Sequence, residues 1–339
     1  MSDYSPFRSG YKISDIKKSP VKDLKKQAQY REQYEKWPKE QKVADFPTHI
    51  DLELSSACNL HCPMCHTVYI NDPSFTKFKE ERMKDSLMDF DLFQSIINEA
   101  TQSKYFFSIK LNYRGESTIH PQIVEMIDYA RYKGVYDIML NTNGNYELVL
   151  TEQMINAGLT WLSVSLDAIK PETYKRVRCG GDYYLAYANA LNMCRFADRL
   201  HLQVTFVDQK INHKEKDDFV KFWKQMPVHK VTTGDFYNPG ELIKNVTAFT
   251  AKKYVKSDKF TCPQLWQRIM VLNSGKLYPC CHVFEEPEDL YLGKFPDVSI
   301  KEAWNSEKLA NIRKIHATGE YRKVDTCSRC AYPKSLVRE

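Results

Sequence analysis

Between residues 48 and 240, short apolar runs alternate with helical stretches, and the unusual residues stand where the runs end. "THIDLEL" (48–54) leads into a cysteine-rich loop and "FFSIKLNY" (106–113) into "RGES". "VYDIMLNTNG" (135–144) closes on a turn, and "LTWLSVSLD" (159–167) ends on a carboxylate. "LHLQVTFV" (200–207) and "KVTTGDFYN" (230–238) complete six expected strands. Helical sequence fills the gaps, from Pro121 to Tyr132 and again towards Arg199. Short strands separated by helices predict an α/β fold with a parallel sheet. Right-handed crossovers make of it either a barrel or an open doubly wound sheet. In both, chemistry gathers at the carboxyl ends of the strands, which is where the unusual residues lie here.

The loop after the first expected strand reads "SSACNLHCPMCH" (55–66) and sets Cys58, Cys62 and Cys65 close together. Three thiolates suit a cubane iron–sulfur cluster that keeps one iron free of protein ligands. An open coordination position is what a catalytic metal needs and a structural one lacks. A zinc site completed by His61 or His66 is the alternative, although zinc ligands usually arrive as two pairs. The chain has ten cysteines, a polar lysine-rich start and a net charge of +6. Its apolar runs fall short of the roughly 18 residues that span a bilayer. The expectation is a cytoplasmic protein with reduced, metal-binding thiols and no membrane partner. So mild a charge suits an anionic small molecule and gives no argument for nucleic acid.

Residues 1–47 are charged, with a lysine-rich segment read as a surface helix or a docking arm. After residue 240 the alternation stops. "ELIKNVTAFTAKKYVKSDK" reads as a linker, and five cysteines follow it: Cys262, Cys280, Cys281, Cys327 and Cys330. Four thiolates close a cluster completely. Cys327 and Cys330 supply one bite, and Cys262 and Cys280 supply the rest from a hairpin that turns at Gly275. Neighbouring side chains of an extended hairpin point oppositely, so Cys281 is left over. A zinc ribbon is the alternative for this half.

The C-x3-C-x2-C loop after the first strand of a βα series resembles the radical S-adenosylmethionine (SAM) superfamily. The resemblance implies a partial (β/α)6 barrel over 48–240 and a [4Fe–4S] cluster whose open iron is chelated by SAM. It also implies reductive cleavage of SAM to a 5′-deoxyadenosyl radical that takes hydrogen from a substrate C–H bond. "RGES" matches the family's Gly-Gly-Glu stretch, with Arg114 where the first glycine often stands. Gly115 and Glu116 are then expected to meet the SAM amino group. Ser165 and Asp167 are expected at the ribose, and Arg176 or Arg178 at the SAM carboxylate. Met64 is expected to contact adenine by its backbone, where the family more often has an aromatic residue. Asn141 and Asn143 are candidates for ribose or substrate. Simple loop or helix capping is the alternative for Asn143 and Ser117.

The C-terminal cysteines resemble the shortened SPASM module called Twitch, which implies a small cysteine-rich α+β domain over 241–339 holding one auxiliary [4Fe–4S] cluster. Relatives of this kind include aminocyclitol dehydrogenases and sugar or peptide epimerases. The favoured expectation is a dehydrogenase acting on an amino sugar, aminocyclitol or nucleotide sugar, with the auxiliary cluster as electron acceptor. Flavodoxin or ferredoxin is the expected type of reductant. The alternatives are an epimerase in which Cys281 or Cys179 returns hydrogen, an enzyme modifying a ribosomal peptide, and a non-enzymatic zinc scaffold or electron carrier. Cys194, on an apolar helical face, is expected in the core.

Overall fold

The structure, a computed structural model, describes residues 24–65, 86–236, 238, 243, 245–250 and 254–336. His66, the first part of the N-terminal arm and much of the expected linker lie outside them. A first helix, α1 (Leu24–Glu40), precedes six strands: β1 (His49–Leu52), β2 (Ser108–Lys110), β3 (Asp137–Thr142), β4 (Trp161–Ser165), β5 (His201–Asp208) and β6 (Lys230–Asp235). Five fall inside the runs read as strands, and β5 passes the end of its run by one residue, Asp208. The helices between them are α2 (Phe90–Ala100), α3 (Ile123–Tyr132), α4 (Leu148–Ala157), α5 (Pro171–Val177), α6 (Tyr183–Met193) and α7 (Lys216–Lys224). The strands pair in chain order, each parallel to the next. A doubly wound sheet reverses its order at a switch point; this one does not, so it forms the arc of a barrel.

Register separates the two faces of the sheet. Ile50, Ile109 and Ile138 share one row, and Leu140–Leu162–Leu202 continues that face. These side chains join Phe93, Ile97, Met126, Ile127 and Met154 of the helices in the main core. Successive strand residues point to opposite faces, so the intervening residues face the barrel interior. They are largely polar: Arg268–His49–Ser108–Asp137 in one row, the mixed row Met270–Asp51–Lys110–Met139–Trp161–His201 next, then Asn141–Ser163–Gln203–Lys230, then Ser165–Thr205–Thr232. Parallel strands covered on both faces normally read as continuous apolar runs. The alternation here builds a polar lumen.

The N-terminal helix closes the amino end of that lumen. Despite its lysines, α1 buries Tyr30, Tyr34 and Trp37. The Ser108 hydroxyl donates to Tyr30 Oη at 2.8 Å, and Gln267 Nε2 donates to the Tyr34 carbonyl at 2.6 Å. Arg268 reaches both Tyr34 Oη and Asp51, the latter at 2.9 Å.

The C-terminal part extends the same sheet. After β7 (Tyr254–Lys256), strand β8 (Arg268–Val271) pairs parallel with β1, and β9 (Lys276–Tyr278) and β10 (Gly293–Lys294) add antiparallel strands. The result is a nine-stranded sheet of order β10-β9-β8-β1-β2-β3-β4-β5-β6. Gly275 makes the β8–β9 turn at φ +86°, and a Cβ there would lie 2.6 Å from the Phe295 carbonyl oxygen. Helices α8 (Ile300–Trp304), α9 (Glu307–Ala317) and α10 (Asp325–Arg329) follow, and β11 (Lys334–Leu336) pairs with β7. Cys262 precedes β8 and is not in the hairpin itself, a correction to its expected place. Among the described residues, no helix is long and apolar enough to cross a membrane.

Candidate active site

The cysteine triplet lies on the loop that leaves β1, and its neighbours fix it backbone first. The Glu116 N–H donates to the Ala57 carbonyl at 2.8 Å, the His61 N–H to the Cys179 carbonyl at 2.9 Å, and the Leu60 N–H to Cys58 Sγ at 3.4 Å. A Cβ on Gly115 would sit 2.2 Å from the Ala57 oxygen and 2.4 Å from the Ser55 oxygen. The glycine of "RGES" is thus required by packing against the cysteine loop. Gly115→Ala must push backbone against backbone, at a cost above the usual ~1–3 kcal/mol of overpacking. The expected result is a fall in iron content at the first site, read by iron assay against the unaltered chain.

Glu116 is buried, and its carboxylate accepts four hydrogen bonds. Oε1 takes the Thr118 N–H and the hydroxyls of Thr118 and Thr142; Oε2 takes the Asn143 N–H at 2.8 Å. Burial raises its pKa, against these donors. Asn143 passes the support on, with Nδ2 2.7 Å from Asn59 Oδ1 and 3.9 Å from Cys58 Sγ. Asn59 in turn donates to the Asn145 carbonyl at 2.8 Å. The "NTNGN" turn therefore clamps the cysteine loop. Ser117 opens a short 3₁₀ turn that Glu116 caps.

The other expected SAM contacts divide. Arg178 Nη2 lies 2.5 Å from Asp167 Oδ2 and also donates to the Cys62 thiol. Asp167 takes the left-handed φ of +60° and accepts the Val207 N–H at 2.7 Å. Burial works against the Arg178 charge, but Asp167 and Cys62 hold its pKa above the ordinary value. Burial pushes the Asp167 carboxyl up, opposed by Arg178. Arg176 is exposed, so only Arg178 comes to the cluster loop. Met64 Sδ accepts from Gln209 Nε2 at 2.7 Å, bringing in a buried residue at the end of β5 that sequence reading missed. Ser165 accepts from Thr205 at 3.1 Å, and Asn141 lies beside Ser163 on the lumen face. The Cys179 thiol bonds back to the Lys175 and Arg176 carbonyls at the end of α5. Cys194 bonds to the Ala190 carbonyl and packs against the core.

The second thiol group surrounds one cavity, lined by Cys262, Cys280, Cys327 and Cys330 together with Leu265, His316 and other residues. Among the described residues, no three His, Cys, Asp or Glu groups converge on a single ion position; the thiols ring a space. Cys281 is absent from that lining, and its thiol donates to Gln264 Oε1 at 3.4 Å. Burial pushes the Cys281 thiol up to about 11, Asp51 adding to the effect and Arg268 and Lys110 opposing it. Cys280 thus lines the four-thiol cavity, while Cys281 stands outside that lining against Gln264.

The donor sets fit two iron–sulfur clusters. Burial pushes the Cys58 thiol up, with Glu116, Cys62 and Cys65 adding, and pushes Cys62 up to about 12, with Cys65 adding and Arg178 opposing. Three thiols thus feel one another on one loop. In the C-terminal cavity the Cys327 thiol is raised first by burial and then by Cys262 and Cys330, and the Cys280 thiol first by burial, then by its neighbour Cys281, then by Cys327 and Cys262.

A family model described as the Radical SAM superfamily matches residues 52–221, half of the chain. The chain belongs to the radical SAM superfamily. A second model, SPASM, an iron–sulfur cluster-binding domain, matches residues 262–331. The radical SAM enzyme is therefore one with a SAM-binding [4Fe–4S] cluster and an auxiliary iron–sulfur cluster. It is 25% identical over 197 residues to a probable GTP 3′,8-cyclase of Methanocaldococcus jannaschii, covering 55% of this chain and 62% of that one. It is 31% identical over 107 residues to a tungsten-containing aldehyde ferredoxin oxidoreductase cofactor-modifying protein of Pyrococcus furiosus, covering 32% of this chain and 26% of that one. The matches thus span less than two thirds of these curated relatives.

Among solved structures it resembles BtrN in complex with AdoMet and 2-DOIA, with TM-score 0.55, 16% identity and coverage of 84% and 92%. It also resembles Streptococcus suis SuiB bound to S-adenosylmethionine, with TM-score 0.61, 12% identity and coverage of 86% and 74%. At such identities the likeness speaks for the radical SAM fold, which the barrel arc and C-terminal extension share.

Proposed function

We propose that this radical SAM enzyme holds a polar, hydroxylated small molecule in the barrel lumen and oxidises it to a carbonyl. The observation that carries the reading is the lumen wall. Ser163 Oγ, Gln203 Oε1 and Thr232 Oγ1 are buried there without a hydrogen-bond partner among the described residues. They lie on neighbouring strands of the barrel-facing side. Buried polar groups are normally satisfied, so three neighbouring orphans suit a ligand with several hydroxyls. The charged floor of Asp51, Lys110 and Arg268 suits the amino group of an amino sugar or aminocyclitol, or the phosphates of a nucleotide sugar.

When bound, the first cluster and SAM supply a 5′-deoxyadenosyl radical, under an electron from a flavodoxin- or ferredoxin-type reductant, and the auxiliary cluster is an electron acceptor. The residues contribute the rest. Gly115, Glu116 and Arg178 position the SAM amino acid end, while Ser165, Asp167, Asn141 and the Met64 backbone shape the nucleoside end. Oxidation of a C–H(OH) carbon releases a hydrogen atom, an electron and a proton. Asp51, held between His49 at 3.2 Å and Arg268 at 2.9 Å, is the carboxylate that receives the proton.

The placement of Cys281 favours a second reading. The thiol is not in the four-thiol lining, and burial pushes it up to about 11, so it keeps its hydrogen at neutral pH, which suits hydrogen return in an epimerase. Turnover in heavy water separates the two readings. An oxidised product, lighter by one pair of hydrogens and free of deuterium, supports oxidation. An isomeric product carrying one deuterium, lost in Cys281→Ala while 5′-deoxyadenosine persists, overturns it in favour of epimerisation.

A further inference from the structure

Two histidines, His282 and His316, line the four-thiol cavity, and the ring of His316 is tied to a cluster ligand. His316, near the end of α9, is 1% exposed and lines the cavity beside Cys262. The Cys262 N–H donates to His316 Nδ1 at 3.3 Å. A ring nitrogen that accepts carries no hydrogen, so the hydrogen of the imidazole is on the other nitrogen. Nε2 is that nitrogen. It is buried and has no hydrogen-bond partner among the described residues. A buried N–H without an acceptor is costly. The remaining lining gives it little to bond: Leu265, Pro279, Leu290 and the rings of Phe260 and Tyr321 are apolar on this side. Besides His282 and Thr326, the latter held by Asp289, the acceptors that the cavity offers are the four sulfurs.

We propose that His316 donates an N–H···S hydrogen bond from Nε2 to the auxiliary cluster or one of its thiolates, and thereby raises the cluster's reduction potential. Hydrogen bonds to the sulfurs are among the factors that set iron–sulfur potentials. The sign follows from charge: reduction adds an electron to the cluster, and a donor at sulfur stabilises the added charge. His316 is also tied to a ligand through the backbone of Cys262, and its own carbonyl accepts the Thr261 hydroxyl at 2.8 Å. A merely structural role for the ring must therefore be separated from donation.

The test uses the full chain with Cys58, Cys62 and Cys65 changed to alanine, so that the auxiliary cluster is its iron centre. Its midpoint potential is followed by electron paramagnetic resonance during a redox titration. His316→Leu removes the donor, and His316→Gln keeps an amide N–H at a similar reach. The expected result is a downward shift for His316→Leu of about tenfold in the reduction equilibrium, about 59 mV for one electron, with His316→Gln close to the unaltered value. An unchanged potential in His316→Leu overturns the proposal. So does a fall in His316→Gln equal to that in His316→Leu, which means that the ring only holds Cys262. If His316→Leu fails to retain iron, His316→Phe, which keeps a ring but no N–H, takes its place: a lowered potential supports donation, and an unchanged one overturns it.

Discussion

Cys62→Ala is expected to reduce the formation of 5′-deoxyadenosine under dithionite to background and to lower iron from about eight to about four atoms per chain. Cys62 is buried, and Arg178 reaches its sulfur from the end of α5. Removing it leaves Cys58 and Cys65 to hold a cluster that also needs an open iron. A pair of thiolates on a loop fastened mainly by backbone hydrogen bonds does not retain such a centre. Cys327→Ala is expected to behave differently. It opens the four-thiol cavity, which lies beyond β8 and β9, while Glu116, Asn143 and Arg178 keep the first loop in place. Iron again falls by about half, but cleavage of SAM continues and conversion of substrate stops. Anaerobic reconstitution, iron and sulfide assay, and chromatography of 5′-deoxyadenosine check both variants. Persistent SAM cleavage in Cys62→Ala means that the triplet does not hold the catalytic centre.

Much of this arrangement is legible in the residues because the signals are local. Each barrel strand is a short alternating run bounded by turn residues. The triplet and the Cys327–Cys330 pair are spaced within a single loop or turn. What the sequence hides depends on contacts between distant segments. The pairing of β8 with β1, 219 residues apart in sequence at His49 and Arg268, joins the C-terminal part to the barrel through one sheet; no local pattern in "RIMV" announces its partner. Gln209 meets Met64 across 145 residues, and only the barrel closure brings them together. A signal for the polar lumen was present, in the strict alternation of "HIDLEL" and "SIKLNY". Its meaning depends on the fold: alternation of this kind ordinarily marks a sheet with one wet face, and here the wet face turns inward. The lysine-rich N-terminal helix shows its buried face less plainly than its charged one. Its charges mark the solvent side, while Tyr30 and Tyr34 seal the barrel floor.

Arg114 is the departure from the family's glycine pair, and its replacement is expected to destabilise the chain by about 3–5 kcal/mol, the usual consequence of leaving a buried charge alone. Its guanidinium meets Glu53 in a fork, Nε to Oε1 at 2.7 Å and Nη2 to Oε2 at 2.9 Å. Glu53 is fully buried just past β1. The remaining nitrogen, Nη1, reaches Glu286 at 2.9 Å, and Glu286 also binds Lys276 at 2.7 Å. Burial opposes the Arg114 charge, yet Glu53, then Tyr113 and Glu286, hold its pKa above the usual value. A two-pronged pair of this kind fixes orientation as well as charge. The end of β1, the "RGES" turn and the segment after the β9 hairpin are thereby locked together. Arg114→Met keeps the stem and removes the fork, so the Glu53 carboxyl is left buried without its guanidinium partner, with the Asn273 N–H at 3.4 Å still donating to it. Glu53→Gln in the same chain removes that carboxyl, and most of the lost stability is expected to return. Urea unfolding of the metal-free chain under reducing conditions measures all members of the cycle. Additive effects of the two substitutions show that the pair does not couple β1 to the C-terminal module. A coupling of several kcal/mol shows that this arginine, in place of a glycine, fastens the module to the barrel.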